Sequence, residues 1–178
     1  MCDDRGHHAM VCEVGGALMR GHKEVRDYMA NWVRDRGAKG VVIEQHVPSW
    51  DRVTSRGAEQ ARLDVAFINL SGVRSYIDVT IVDAQSSDRG LLTRRANQAG
   101  AAARRAEDTK RAKYPGPALV PFAIEALGRA GDSAANLLRA MAPTDPKERS
   151  EVLGDAWQSL SVLVQMRNAE LLLSAAGV

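Results

Sequence analysis

The sequence predicts an α/β fold in which a small mixed β-sheet is flanked by helices. Two observations carry this prediction. Segments whose apolar residues recur at helical spacing alternate along the chain with short runs rich in Val, Ile and Phe. Two such runs lie within residues 62–82, on either side of Ser71 and Gly72, and are typical of a β-hairpin. Helix, strand, hairpin, helix, strand and helix in this order predict layers of helices around one sheet.

The elements of the N-terminal half follow from spacing and from helix-ending residues. The first helix is predicted to begin near Lys23, because apolar residues recur at helical spacing up to Gly37, which follows as a C-terminal cap. Residues 41–47 predict a strand, and the polar stretch 48–60 predicts a loop. The hairpin at 62–82 is apolar on both faces except for two aspartates, which indicates central strands.

The C-terminal half predicts three helices and one strand. A long helix is expected from about Leu91 to Lys113, because the proline-rich stretch that follows cannot continue it. Residues 118–128 predict a buried strand, and a short helix capped by Asp132 or Ser133 follows it. The last helix carries an apolar stripe that predicts core packing or contact with a second subunit in a homodimer. The stripe consists of Leu153, Trp157, Leu160, Val164 and Leu171.

The composition indicates one principal domain inside a cell. The chain of 178 residues is long enough to form one hydrophobic core. No apolar run approaches the roughly 20 residues of a membrane span, and the first residues lack the hydrophobic stretch of a secretory signal. We therefore expect a nuclear or cytoplasmic protein that is not secreted and has no membrane partner. The two cysteines argue against a disulfide scaffold and leave free thiols or metal ligation.

Positive charge is concentrated between Ser86 and Lys113. Eight basic residues face three acidic ones there, which gives a local charge of +5. Such a segment suits the phosphate backbone of a nucleic acid, although a charged run on a helix is also typical of a solvated face. The candidate DNA-binding residues are Arg94, Arg95, Arg104, Arg105 and Arg111.

Two aspartates, Asp64 and Asp78, lie among the apolar residues of the hairpin, although aspartate is depleted in strands. With a tight turn at Ser71-Gly72, Asp64 lies opposite Val79, and a one-residue change in loop length places it opposite Asp78. Because neighbouring carboxylates repel, one must be protonated or a cation must lie between them, and we expect Mg²⁺ or Mn²⁺. The alternative is that Asp64 ends its strand at the surface while Asp78 bonds to backbone or to an arginine.

The aspartates belong to a longer pattern. An acid on one strand, a second acid on the next strand about a dozen residues later and then a basic residue resembles the PD-(D/E)XK nuclease superfamily. Thr80 holds the usual position of the lysine, and Leu63 holds that of the proline before the first acid. The run YIDVTIV, followed by a helix that ends in AEDTKRAKY at 106–114, resembles the restriction-enzyme-like endonuclease domain of site-specific non-LTR retrotransposons. The resemblance spans about Cys12 to Met141.

This resemblance implies a PD-(D/E)XK restriction-endonuclease-like fold and a metal-dependent DNA endonuclease. In that family the lysine lies on the helix in a Lys-x-x-Lys-Tyr element, so the residues carried over are Asp64, Asp78, Lys110, Lys113 and Tyr114. The acids would hold Mg²⁺ or Mn²⁺, and Lys110 would orient the water or stabilise the charge that develops on the phosphate. The family also implies a nick in target DNA that primes reverse transcription, with RNA as a partner within a larger reverse-transcriptase polyprotein.

The resemblance further implies a small zinc knuckle before the nuclease. The ligands that tetrahedral zinc prefers are present in the N-terminal segment as Cys2, His7 or His8, Cys12 and His22. Such a zinc would be structural, and the alternative is that these side chains are solvated. The predicted organisation is a zinc-knuckle-like segment at 1–22, an endonuclease-like core at 23–142, and a linker with an amphipathic helix at 143–178.

Other residues allow two interpretations. Glu44, where a strand enters the sheet, could be an additional metal ligand or an exposed strand-end residue, and Glu125 has the same ambiguity. Thr80, together with Lys113 and Tyr114, completes the set of residues that we expect to add to the site. Two other classes of function stay open. One is a catalytically inactive nucleic-acid-binding module derived from the same fold, and the other is a scaffold or oligomerisation domain.

Overall fold

The computed structural model describes residues 16–55, 57–84 and 89–176 of the chain. The first part contains helix α1 at Ala17–Asp35, strand β1 at Lys39–His46, a 3₁₀ turn at Pro48–Trp50 and strands β2 at Arg52–Thr54, β3 at Gly57–Glu59, β4 at Arg62–Ile68 and β5 at Arg74–Val82. The second part contains helices α2 at Arg89–Asn97 and α3 at Ala101–Lys113, strand β6 at Leu119–Glu125 and helices α4 at Asp132–Met141 and α5 at Pro146–Ala176.

The central sheet has the strand order β1, β4, β5, β6. Strands β1, β4 and β5 pair antiparallel, whereas β6 pairs parallel to β5 after a crossover through α2 and α3. Because both kinds of pairing occur in one sheet with helices against it, the predicted α/β class with a small mixed sheet is confirmed. A separate two-stranded sheet of β2 and β3 occupies part of the stretch that we predicted as a loop.

The main core lies between the sheet and helices α1, α4 and α5. Its sheet residues include Val65, Phe67, Ile77 and Val79, which are almost entirely buried. Side chains alternate between the two faces of a strand, so Asp78 faces away from this core, toward the side of the sheet on which α3 packs.

The C-terminal helix α5 belongs to the same core. Leu160 and Val164 are buried in it, and Leu153 and Trp157 pack against it, so the predicted stripe is core. The predicted linker is short, since the helix begins at Pro146. None of the helices in the described ranges combines the length and the apolar character that a bilayer crossing requires.

Helix α1 begins at Ala17, earlier than the predicted start near Lys23. The residue before it, Gly16, adopts a φ of +73° that glycine tolerates without steric strain. Gly21 has no room for a side chain, because a Cβ there would lie 2.5 Å from Cγ of Arg167 on α5. Apolar spacing does not reveal a helix turn that contains such glycines. His22, which we assigned to the zinc-knuckle-like segment at 1–22, lies within α1.

The predicted long helix from Leu91 to Lys113 is wrong in one respect, because it is two helices separated at Gly100. Gly100 has a φ of +75°, and no side chain of its own caps α3. The cap comes from Glu125 at the end of β6, whose Oε1 accepts the backbone N–H groups of Ala102 and Ala103 at 3.1 and 3.2 Å. A carboxylate at a helix N-terminus is favourable, so Glu125 has a structural role.

A second distant carboxylate caps α4. We predicted Asp132 or Ser133 as the cap, but the N-cap residue is Gly131 and no cap side chain bonds to the helix. Instead, Oε1 of the buried Glu107 on α3 accepts the backbone N–H of Ser133 at 2.9 Å. This bond joins α3 to α4 around the outer edge of the sheet.

Candidate active site

The two aspartates lie side by side where the β4–β5 ladder ends. The last registered pair is Val65 opposite Ile77, and the same register continued by one residue places Asp64 opposite Asp78. The ladder stops there because Oδ2 of Asp64 accepts the backbone N–H of Val79 at 2.6 Å. Both aspartates are buried, with 9 % of Asp64 and 6 % of Asp78 exposed. The alternative in which Asp64 ends its strand at the surface is therefore wrong.

Lys110 on α3 reaches this pair of carboxylates. Its Nζ lies 2.8 Å from Oδ2 of Asp78, and about a quarter of the lysine side chain is exposed. Thr80, two residues after Asp78 on β5, carries a buried hydroxyl with no hydrogen-bond partner. Residues two apart on a strand share a face, so this hydroxyl lies on the same side of the sheet as the carboxyl of Asp78.

The charges around Asp78 act in opposite directions. Burial raises the pKa of the Asp78 carboxyl, and the like charge of Asp64 and a hydrogen bond with it raise the pKa further. The ammonium group of Lys110 lowers the pKa of Asp78, but burial is the larger effect. Lys110 therefore compensates the charged form of Asp78 incompletely, and an added cation would favour that charged form.

His22 on α1 contacts the other carboxylate. Its Nε2 lies 3.3 Å from Oδ2 of Asp64 and 3.2 Å from the carbonyl oxygen of Val79. The hydrogen bond with Asp64 raises the pKa of His22, and the partial burial of the ring opposes this. We predicted His22 as a zinc ligand, and the structure places it beside the candidate catalytic acids instead. The sequence did not place His22 in a helix, because the first helix was predicted to begin near Lys23 and begins at Ala17.

Arg26, one turn further along α1, is a site residue that the sequence did not reveal. It is 9 % exposed, and its Nη1 lies 2.5 Å from Oε1 of Glu44. A hydrogen bond to Asp27 is the largest of the causes that raise the pKa of Arg26, and the charges of Glu44 and Asp64 act in the same direction. The guanidinium group therefore brings a buried positive charge close to Asp64.

Glu44 lies next to the acids but is held by Arg26. On β1, the pairs of Ile43 with Val65 and of Gln45 with Leu63 place Glu44 across from Asp64. Its backbone has a φ of +55°, which is uncommon for a residue with a side chain. Of the two interpretations of Glu44, its place across from Asp64 suits an additional metal ligand, whereas its side chain, which is 55 % exposed and paired with Arg26, suits an exposed residue near the strand end.

The fit of a metal depends on the two aspartates. Mg²⁺ binds through one or two carboxylates together with water and phosphate oxygens, and two adjacent carboxylates meet this requirement. Among the described residues, no group of three or more His, Cys, Asp or Glu side chains is arranged to hold a metal ion. The predicted zinc ligands Cys2, His7, His8 and Cys12 lie outside the described residues.

Lys113 and Tyr114 do not reach the aspartates. The Nζ of Lys113 lies 2.7 Å from Oε1 of Glu59 on β3. The buried Tyr114 ring packs against Trp50 with centroids 5.6 Å apart, and Trp50 donates from Nε1 to the carbonyl of Pro115 at 3.0 Å. This end of α3 therefore anchors the small β2–β3 sheet to the rest of the protein.

The predicted DNA-binding arginines are divided between two places. Arg104 and Arg105 are exposed on α3 and line a surface depression with Arg95 and Gln98. At about 100° per residue, they lie roughly 120° to 140° around the helix from Lys110. Arg111 instead pairs with Asp108, Glu107 and Ser133 at the α3–α4 junction. The side chain of Arg94 lies outside the described part of the chain.

The comparisons with known proteins do not assign the chain to a family. No model of a known protein family matches it, and no curated protein sequence matches it. The function is therefore argued from the residues of the site and their geometry.

Proposed function

We propose that this chain is a divalent-metal-dependent DNA endonuclease domain that hydrolyses a phosphodiester bond. The observation that carries the proposal is the contact of Lys110 on α3 with Asp78 on β5, beside the adjacent carboxylate of Asp64. Two buried acids and one lysine from different elements meet at one point, as the resemblance to the retrotransposon endonucleases requires. The same resemblance supports a PD-(D/E)XK restriction-endonuclease-like fold and a target-site nick that primes reverse transcription in a nuclear or cytoplasmic setting.

Each of the three residues has a distinct role in the proposal. Asp64 and Asp78 are the ligands for Mg²⁺ or Mn²⁺, whose chemistry when bound is to polarise the phosphate and lower the pKa of a bound water. Lys110 places an ammonium group where negative charge develops on the phosphate in the transition state. Its contact with Asp78 holds it there before substrate binds, and pre-organised charge is more effective than charge that must move into position.

Arg104 and Arg105 support DNA as the substrate. They are exposed on α3, the helix that also delivers Lys110 to Asp78, so they add positive charge for a phosphate backbone to the element that reaches the acids. Arginine contacts to phosphates position a duplex without reading its sequence. The two arginines therefore account for affinity, and the acids account for cleavage.

The test is the nicking of supercoiled plasmid with Mg²⁺ or with a chelator. Asp64→Asn and Asp78→Asn are expected to abolish nicking and to leave DNA binding nearly intact, because the acids contribute no attraction to phosphate. Asp155→Asn, an exposed aspartate on α5, is the matched control and should nick like the wild type. Undiminished nicking by either site variant, or nicking in chelator, would contradict the proposal.

A catalytically inactive nucleic-acid-binding module is the second candidate. It is favoured by the fact that each aspartate already has protein partners, Asp78 with Lys110 and Asp64 with His22 and the Val79 N–H. Structural ion pairs also perturb carboxylates. Salt-dependent DNA binding by the wild type with no Mg²⁺-dependent nicking would support this candidate over the nuclease.

We propose in addition a structural zinc site in the N-terminal segment. Its ligands would be Cys2, His7, His8 and Cys12, since Nε2 of His22 is directed at Asp64 and Val79. Zinc is then expected to co-purify at about one ion per chain and to be lost in Cys12→Ser, because a tetrahedral site rarely survives loss of a thiolate. Elemental analysis of protein purified without chelator measures this, and no zinc in the wild type would exclude the site.

A further inference from the structure

The Oδ2 atom of Asp64 is occupied by two contacts from the protein. It accepts the backbone N–H of Val79 at 2.6 Å, and Nε2 of His22 lies 3.3 Å from it. The same Nε2 lies 3.2 Å from the carbonyl oxygen of Val79, which can only accept a hydrogen bond. Nε2 therefore carries a hydrogen in this arrangement, and His22 acts as a donor toward both oxygens.

We propose that His22 is a positioning residue that orients Asp64 for divalent-cation binding, an inference that rests on the proposed function. Val79 and His22 both contact Oδ2 of Asp64, and in this proposal Oδ1 is the oxygen that binds a cation shared with Asp78. Partners that hold a ligating carboxylate in one orientation typically change metal affinity by about 10- to 100-fold. His22 itself does not touch the metal in this proposal.

The packing of α1 on α5 places His22 within contact distance of Asp64. Gly21, the preceding residue, meets the side-chain stem of Arg167 so closely that any Cβ would overlap it. Arg167 is 5 % exposed, and the neighbouring Asn168 donates from Nδ2 to the carbonyl of Ala126 at 2.6 Å. The first turns of α1 are therefore seated on a buried part of α5, and the imidazole is directed from a rigid element.

A second histidine–aspartate pair in the same chain provides the control. Nε2 of His46 lies 2.9 Å from Oδ2 of Asp51, and this pair is more exposed than that of His22 and Asp64. Asp51 also accepts the backbone N–H of Ala61 at 2.7 Å, so the two aspartates have the same kinds of partner. Only the pair at His22 lies beside a second carboxylate that contacts Lys110.

The experiment measures Mn²⁺ binding to the full chain without DNA, by electron paramagnetic resonance, together with the melting temperature. His22→Ala is expected to weaken Mn²⁺ binding by about 10- to 100-fold, whereas His22→Gln, which keeps a donor, should stay within a few-fold of the wild type. His22→Phe keeps a ring of similar size without a donor, and should weaken binding as His22→Ala does. His46→Ala should bind Mn²⁺ like the wild type, and Asp64→Asn should lose the site.

The outcomes separate this inference from the proposed function. Wild-type affinity in folded His22→Phe or His22→Ala, or a lack of Mn²⁺ binding by the wild type, would overturn the role of His22. Equal weakening in His22→Gln and His22→Phe would also overturn it, because the donor would then be irrelevant. Mn²⁺ binding that depends on Asp64 and His22 in a protein that does not nick DNA would support the role of His22 and refute the nuclease.

Discussion

Two lysines one turn apart on α3 form ion pairs with carboxylates, and the two pairs differ in character. Lys110 contacts Asp78 at 2.8 Å and Lys113 contacts Glu59 at 2.7 Å, and each lysine side chain is 25 % exposed. The pKa of Glu59 is lowered by hydrogen bonds from Lys113 and Arg52, whereas the pKa of Asp78 is raised because burial outweighs its lysine. The burial of the carboxyl group therefore decides whether a lysine at contact distance lowers its pKa below the ordinary value.

The comparison distinguishes a satisfied ion pair from an unsatisfied one. Glu59 is 39 % exposed in its side chain and has two cationic partners, so it has little need of another cation. Asp78 is 8 % exposed in its side chain and shares one lysine with a neighbouring carboxylate. Buried like charges of this kind are characteristic of sites that bind a metal or a substrate.

The largest expected effect separates the two lysines by activity. Lys110→Ala is expected to reduce the nicking rate by at least about 100-fold, the typical cost of removing one pre-organised donor from a reacting group. Lys113→Ala should reduce the rate much less, because Lys113 binds Glu59 on the small sheet. Single-turnover nicking at saturating Mg²⁺ measures both. An inactive Lys113→Ala with an active Lys110→Ala would mean that the assignment on α3 is off by one turn.

The next largest effect concerns Arg104 and Arg105, which lie on a different side of α3 from Lys110. Replacing Arg104 and Arg105 together by Ala should weaken binding to all DNA sequences alike and flatten the dependence of log K on log salt by about 0.9 for each phosphate that is no longer neutralised. A matched control is Arg34→Ala with Arg139→Ala, which removes the same charge from exposed positions on α1 and α4. Fluorescence anisotropy at several salt concentrations measures the slope. Equal slopes in the two double variants would mean that these arginines are only solvated.

The smallest expected effect tests the opposite pKa shifts through stability. The folded state holds a proton on Asp78 more tightly than the unfolded chain, so this stabilisation is complete below the ordinary pKa of 3.8 and is lost as pH rises through the raised pKa. For Glu59 the pKa is lowered from 4.5, so its stabilisation is present above 4.5 and is lost as pH falls through the lowered pKa. At pH 7, Asp78→Asn should therefore raise the melting temperature, and Glu59→Gln should lower it.

Thermal unfolding at pH 7 and near pH 3 measures both differences. The difference for Asp78→Asn should shrink as pH falls below the raised pKa of Asp78, and that for Glu59→Gln should shrink as pH falls through the lowered pKa of Glu59. A lower melting temperature for Asp78→Asn at pH 7 would show that attraction to Lys110 exceeds the burial penalty, and the two ion pairs would then be of one kind.

Much of the site was predictable from the sequence because its residues stand in recognisable local patterns. Aspartates in apolar strands are unusual, so Asp64 and Asp78 attracted attention without any structure. Lys110 followed from the resemblance to the retrotransposon endonucleases, through the Lys-x-x-Lys-Tyr element. By contrast, His22 and Arg26 could not be assigned, because both depend on where α1 begins and on which strand it crosses.

The sequence by itself determined the alternation of helices and strands, the class of the sheet and the two acids, because apolar periodicity reports directly which face of an element is buried. Only the tertiary structure decided the break at Gly100, the caps by Glu125 and Glu107, and the contact of His22 with Asp64. These features join residues that are far apart in the chain, such as Glu125 and Ala102. A carboxylate that caps a helix from another element has no local signature, since the bond depends on how strand and helix pack.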